Sequence, residues 1–297
     1  MGITLYKNAD WILTMNEKRE KFRHGDLLIS GKEILDVGND LEKKYAGKLQ
    51  IDKTIEAKGT VILPGFVNVH HHTWQSLIRN IQATRGLKLE PWLTVMYEIY
   101  KDLNTDVARA GVYSGLGDML KTGCTTSNDL WYPHPVGVKY LVDAEIQAAA
   151  EIGIRFHPTR GFHSVPSDIV PPEVVDTKES VTEDTIRLVK KYHDRSRFSM
   201  CQVGIAPSIA QYETEDIIEA VVDLAEEYDI MVHGHLAESQ HEVEYTLKTW
   251  GCRPFEWFKR HRLLGKRFYF AHCIHLNEEE IEQMAETETG VAHCPIS

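Results

Sequence analysis

The chain has 297 residues, 42% of them apolar, and a net charge of −11 with no basic run. That composition supplies a sizeable core, and the charge argues against nucleic acid or an anionic membrane surface as a partner. No apolar run approaches the ~20 residues of a membrane span, and the start MGITLYKNADWILTM lacks the basic and apolar regions of a signal peptide. Five scattered cysteines form no C-x-x-C pair, which indicates neither a disulfide framework nor a cysteine zinc site and leads us to expect a cytoplasmic protein.

Residues 3 to 58 read as β-rich, with ITLYKNADWILTM as one or two strands and DLLISGKEILDVG as strand, Gly-Lys turn and strand. We expect residues 1–60 to form a small N-terminal β domain, half of a composite β-sandwich. From Val61 the pattern alternates. Apolar runs at 61–69, 124–130, 152–158, 201–207, 230–236, 267–273 and 290–294 are separated mostly by helical patterns, one opened by the cap residue Asn277. Continuous apolar strands suit burial on both faces. No G-x-G-x-x-G follows the first run, and ligand-type residues gather at the C-terminal strand ends, where barrels place active sites. Residues 61–297 are therefore expected to form an α/β fold of the (β/α)8 TIM-barrel kind. The series reaches seven strands at VAHCPIS, so the chain is expected to lack the eighth. An open barrel exposes two strand edges, and a partner chain or homo-oligomer covering them is expected.

Histidines carry the chemistry. VILPGFVNVHHH ends in three of them. On an extended chain His70 and His72 share a face while His71 points away, and two such imidazoles converge on one metal at ~2.0–2.1 Å per bond. The H-x-H spacing recurs at the end of the fifth run, IMVHGHLAES, as His233 and His235, with Glu238 three residues on. A carboxylate there reaches a metal's water and shuttles its proton without being a ligand. The sixth run ends FAHCIHL, with His272 expected to face the mouth and Cys273 the packing helices, and the seventh ends VAHCPIS, with His293 in a similar place. A lone strand-end histidine is as often a packed core residue as a ligand; the case rests on several strands converging.

LPGFVNVHHH, HGHLAE and FAHCIHL, in this order, resemble the amidohydrolase superfamily, specifically its cytosine deaminase-like and triazine hydrolase-like aminohydrolases. The resemblance implies a metal-dependent hydrolase with His70, His72 and His235 as ligands of one divalent ion, zinc or else iron. It implies Glu238 as proton shuttle and His272 as the residue that steadies the reacting centre. The fourth run, CQVGIAPSIA, has no lysine, which implies the single-metal type, and the family's last ligand, an Asp on the eighth strand, is absent from this chain. HHH followed by Gln75 is similar to the branch acting on 8-oxoguanine, hydroxylated triazines or pterin-like rings. That likeness makes Arg160 and His163 of the loop TRGFHSVPSD candidate substrate contacts, with Gln75, Trp74 and Trp131 as weaker ones. The implied function is hydrolytic deamination of a heterocyclic small molecule. Another leaving group (chloride, an alkylamine or an amide nitrogen) and an incomplete, inactive chain are the alternatives.

Overall fold

Alternation of apolar and polar residues in ITLYKNADWIL builds β1 (Ile3–Leu13), whose Leu5, Ala9 and Ile12 are buried. The computed structural model describes residues 2–296 and divides the chain into two units, Met1–Phe66 and Val67–Ser297. In the first, β1 pairs antiparallel with β2 (Lys21–Ser30), which pairs antiparallel with β3 (Glu33–Gly38). The Gly31-Lys32 turn joins β2 to β3, with Gly31 at φ 57. The short helix α1 (Leu41–Tyr45) follows, and β4 (Lys53–Glu56) and β5 (Val61–Ile62) both run parallel to β1.

The second unit is built on a seven-stranded sheet in sequential order. Its strands are β6 (Phe66–Asn68), β7 (Cys124–Trp131), β8 (Arg155–Phe162), β9 (Gly204–Pro207), β10 (Val232–Leu236), β11 (Phe268–His272) and β12 (Gly290–Ala292). Pairing from β7 through β12 is parallel. Helices α2 (Leu89–Tyr100), α3 (Thr105–Lys121), α4 (Leu141–Ile152), α5 (Lys178–Tyr192), α6 (Glu215–Tyr228), α7 (Gln240–Trp250), α8 (Pro254–Arg260) and α9 (Glu278–Thr287) lie between the strands. Six of these match the helical patterns of the sequence, and α9 has the full capping box, Asn277 Oδ1 accepting from Glu280 N while the Glu280 side chain accepts from Asn277 N. Among the described residues no helix is long and apolar enough to cross a membrane.

The sheet is curled. A step between neighbouring strands is ~4.8 Å, so β6 and β10, four steps apart, would be ~19 Å apart in a flat sheet; instead His70, just beyond β6, touches His233 of β10 at 2.8 Å. A seven-stranded arc of the expected barrel results. Its outer core packs helix faces, such as Val112 and Leu116 of α3 and Ile217, Val221 and Val222 of α6, against strand residues Phe156, Ile205, Val232 and Phe270.

Three departures from the sequence pattern matter for the site. The apolar run 61–69 is not one strand: Pro64-Gly65 breaks it, and β5 joins β1 while β6 opens the barrel sheet. The third barrel strand begins later than expected, because Gly153 at φ 78 first closes α4; Arg160 therefore lies inside β8 and not on a loop. Helices α2 and α8 were not anticipated. In LEPWLTVMYEIY the polar residues Glu90, Thr94 and Glu98 recur every four residues along one face, while Met96, Tyr97 and Tyr100 are buried, so a helical period is present in the sequence of α2.

Candidate metal and proton-transfer centre

Four imidazoles meet at the C-terminal mouth of the sheet. His70 and His72 extend from β6 into a single 3-10 turn (Thr73–Leu77), His235 is on β10, and His272 ends β11. The His70 ring centroid lies 4.8 Å from that of His72, 5.0 Å from His235 and 5.3 Å from His272. One ligand atom each from His70, His72 and His235 falls within 4.8 Å of the others, and the same holds for His70–His272–Cys294 and for His235–Glu238–His272. Glycines set how closely α3 approaches this segment: a Cβ on Gly111 would meet Trp74 Cα at 2.9 Å, and one on Gly115 would meet Ser76 Oγ at 2.6 Å and His71 Nε2 at 3.2 Å. His272 and Cys273 both have left-handed backbones, φ 71 and 55, as does Ala237, φ 50, just before Glu238. Non-glycine residues in this region store strain, which surrounding structure must hold in place.

The hydrogen bonds fix the protons. His72 Nδ1 donates to Leu130 O at 2.8 Å and His235 Nδ1 to Ser208 O at 2.7 Å, since a carbonyl only accepts. Burial lowers the pKa of both rings, His235 to about 4, so each is neutral and its Nε2 is a bare acceptor. Those two acceptors face each other at 3.3 Å with no proton available to join them. His233 Nδ1 donates to Tyr269 O at 2.9 Å, which leaves its Nε2 to accept from His70 Nδ1 at 2.8 Å. His233 is thus buried behind His70, and His70 too is left with a bare Nε2. Two acceptors at 3.3 Å repel each other, and a cation between them removes the conflict. The separation equals the ~3.3–3.4 Å edge of a tetrahedron with zinc–nitrogen bonds of ~2.0–2.1 Å. The donor set fits a borderline-soft divalent ion.

Glu238 sits beside this cluster, its Oε1 3.4 Å from His272 Nε2. Burial, helped by the negative charge of Glu90, pushes its carboxyl up to about 7, which suits a group that both takes and returns a proton near neutrality. Its backbone is held by Glu242, whose carboxylate accepts from Ala237 N at 3.1 Å and Glu238 N at 2.9 Å. Glu90, on α2, accepts from Ser239 Oγ at 3.1 Å and so ties α2 to the cap of α7. Burial pulls the His272 ring down to about 3, and it stacks on His235 with centroids 5.4 Å apart.

A cavity of about 710 Å³ opens onto the cluster. Gln75 and His163 line it, together with Glu238 and His272. Gln75 Nε2 donates to Tyr100 Oη at 3.1 Å, and His163 Nε2 and Tyr97 Oη are 2.5 Å apart. Arg160 is elsewhere. Its side chain is 2% exposed and bonds Asp176 at 2.8 Å and Asp184 at 3.0 Å, so the guanidinium is committed to carboxylates and does not line this cavity. Trp74 and Trp131 are fully buried, meet at a tilt of 54° with centroids 4.6 Å apart, and serve as packing outside the cavity lining. Cys273 packs against the outer core, as expected. His293 is exposed, and Cys294 is the residue that reaches the cavity from β12. Sequence reading also missed Tyr132, Tyr97, Glu90 and Cys294 among the lining residues. Tyr132 could have been found, being one residue past the end of β7; the α2 residues carry no motif.

Comparison with known proteins places this architecture. The chain is 33% identical over 282 residues to 8-oxoguanine deaminase of Pseudomonas aeruginosa, covering 93% of this chain and 63% of that protein. It is 28% identical over 305 residues to hydroxydechloroatrazine ethylaminohydrolase of Pseudomonas sp. strain ADP, covering 99% of this chain and 63% of the relative. The chain thus spans less than two thirds of the length of these curated relatives. Among solved structures, atrazine chlorohydrolase of Arthrobacter aurescens TC1 complexed with zinc superposes with a TM-score of 0.90 at 24% identity, over 98% of this chain and 65% of that one, a likeness of fold. The model of the amidohydrolase family matches residues 61–297, from the strand break at Pro64 through every histidine of the cluster, and the chain belongs to that family.

Proposed function

We propose that the chain carries the metal and proton-transfer centre of a hydrolytic deaminase acting on an aminated nitrogen heterocycle of the 8-oxoguanine, pterin or hydroxy-triazine type. The observation that carries the reading is the pair of bare Nε2 acceptors on His72 and His235 facing each other at 3.3 Å beside Glu238. A divalent cation held by His70, His72 and His235, zinc or alternatively iron, supplies the Lewis acidity that makes water nucleophilic near pH 7. Glu238 accepts the proton of the water that attacks the ring carbon bearing the amino group. His272, next to Glu238, steadies the oxygen of the tetrahedral centre. Glu238 then returns the proton to the amino nitrogen; the C–N bond breaks, ammonia leaves, and the ring keeps a hydroxyl or its carbonyl tautomer. Gln75 and His163 line the space a ring would occupy, and the relatives named for 8-oxoguanine and a hydroxylated triazine support that substrate class.

The test combines elemental analysis of the purified chain with an ammonia-release assay on aminated purines, pterins and triazines. About one zinc or iron per chain, lost in His70→Ala/His72→Ala, with ammonia released from one ring class, is the expected result. Release of ethylamine but not ammonia from an N-ethylamino triazine would move the reading to the second leaving group, for which the relative named an ethylaminohydrolase is the precedent. Absence of bound metal in the parent chain would sink the reading.

A further inference from the structure

Asp129 of β7 and Glu145 of α4 are both 0% exposed, and the mechanism above uses neither. Both close on one residue, Thr73, which directly follows His72. Thr73 N donates to Asp129 Oδ1 at 2.6 Å, and Thr73 Oγ1 donates to Glu145 Oε1 at 2.8 Å. Asp129 Oδ2 and Glu145 Oε2 are buried and find no other partner among the described residues. Two ionised carboxylates in this position would be two uncompensated buried charges, which proteins avoid. The two carboxyls hydrogen-bond each other, which takes a single proton between them: one becomes a donor and the other stays an acceptor. Consistent with that, burial and the partner carboxyl raise Glu145, and burial raises Asp129.

The neighbouring bonds show what is being held. Leu130 N donates to His71 O at 2.9 Å, and Leu130 O accepts from His72 Nδ1 at 2.8 Å. Residues 129 and 130 therefore grip three consecutive positions, His71, His72 and Thr73, on their backbone or side chain. Without the carboxyl pair, Thr73 would be free to turn and the His72 imidazole would leave the carbonyl that fixes its tautomer.

We infer that Asp129 and Glu145 share one proton and act as a positioning pair, locking Thr73 so that His72 presents its Nε2 to the metal. The inference rests on the metal-site reading above and adds to it a role for two residues outside the cavity. Amide replacements discriminate it from a merely structural role. In Glu145→Gln the amide donates to Asp129 and its oxygen accepts from Thr73; in Asp129→Asn the oxygen accepts from Thr73 N and the amide donates to Glu145. Either variant reproduces the one-proton pattern without needing the proton.

The experiment measures zinc affinity of the chain by chelator competition, and the His72 tautomer in the metal-free chain by nitrogen-15 NMR of labelled histidine. Glu145→Gln and Asp129→Asn should keep zinc affinity within ~3-fold, while Glu145→Ala should weaken it ~10–100-fold, the usual range for outer-shell partners. Glu145→Ala should also lose the single Nδ1-protonated tautomer of His72. Thr73→Val, which removes only the hydroxyl donor, gives the same direction if the alanine variant does not fold. Unchanged zinc affinity and an unchanged tautomer in Glu145→Ala and Thr73→Val would overturn the inference, as would Glu145→Gln failing as badly as Glu145→Ala. A parent chain that binds no zinc would instead count against the metal-site reading, and the His72 tautomer would still decide this one.

Discussion

Two clusters of polar side chains in the larger unit are satisfied in opposite ways. Around Arg160 the bookkeeping is internal: the guanidinium makes two hydrogen bonds to Asp176, one to Asp184 and one to Gly161 O. Around His70, His72 and His235 each ring's Nδ1 proton goes to a fixed acceptor and each Nε2 is left bare. A cluster closed on itself needs nothing from outside and stabilises the fold only through geometry. One that leaves acceptors facing each other in a desolvated mouth is complete only with a cation. This difference separates scaffold from site more surely than burial does, since Arg160 and His235 are both buried and His70 and His72 are half-buried.

The comparison can be broken in several ways. Changing His70 and His72 together to Ala should abolish stoichiometric zinc binding, read by elemental analysis, while leaving the chain folded by circular dichroism. For Glu238→Gln we expect a ~10²–10⁴-fold fall in kcat for ammonia release with the metal retained, the range for a lost general base; an active, metal-loaded variant would remove Glu238 from the chemistry. Arg160→Met should do the reverse of both. It leaves the buried Asp176 without its cation, while Asp184 keeps Arg187 at 2.7 Å, and should cost about 3–5 kcal/mol in denaturant unfolding, with zinc affinity unchanged; a loss of zinc would show that the two clusters are not independent.

Smaller effects sharpen the picture. His233→Ala should weaken zinc binding ~10–100-fold, because His70 loses the acceptor that orients it. The pH profile tests Glu238 and Glu90 together. Glu238 must be ionised to accept a proton, and its carboxyl is raised to about 7, so kcat/KM should fall as pH drops through that region, or somewhat lower with a cation bound. Removing the negative charge in Glu90→Gln should move this limb to lower pH by less than a unit. A shift upward, or none, would mean Glu90 does not act on Glu238.

The histidines were legible in the sequence because ligand spacing on extended chain is fixed by a two-residue period, and both H-x-H pairs state it directly. What the spacing could not say was that the pairs are used differently: His70 and His72 both point to the shared space, while His233 supports His70 from behind and only His235 joins the cluster. That depends on which strands the curled sheet brings together. The β/α alternation, and with it the barrel arc, was equally legible, and so was the period of α2, whose polar residues Glu90, Thr94 and Glu98 recur at a helical spacing, although that helix was not anticipated. Arg160 shows the limit most clearly. Its place in TRGFHSVPSD suggested a substrate contact; Asp176 and Asp184, which claim it, lie 16 and 24 residues further on and cannot be assigned to it before the fold is known.

The glycines of α3 have a practical corollary. Since Gly111 and Gly115 leave room for the backbone of Trp74 and the side chains of Ser76 and His71, the seating depth of the histidine segment is dictated from a helix on the far side of the strand. A methyl group added at Gly111 would press on the Trp74 and Thr73 backbone and displace the segment, whereas at Gly115 it would first push aside the Ser76 hydroxyl. Selection for altered metal preference should therefore recover changes on that helix, at positions a search confined to the cavity wall would never sample.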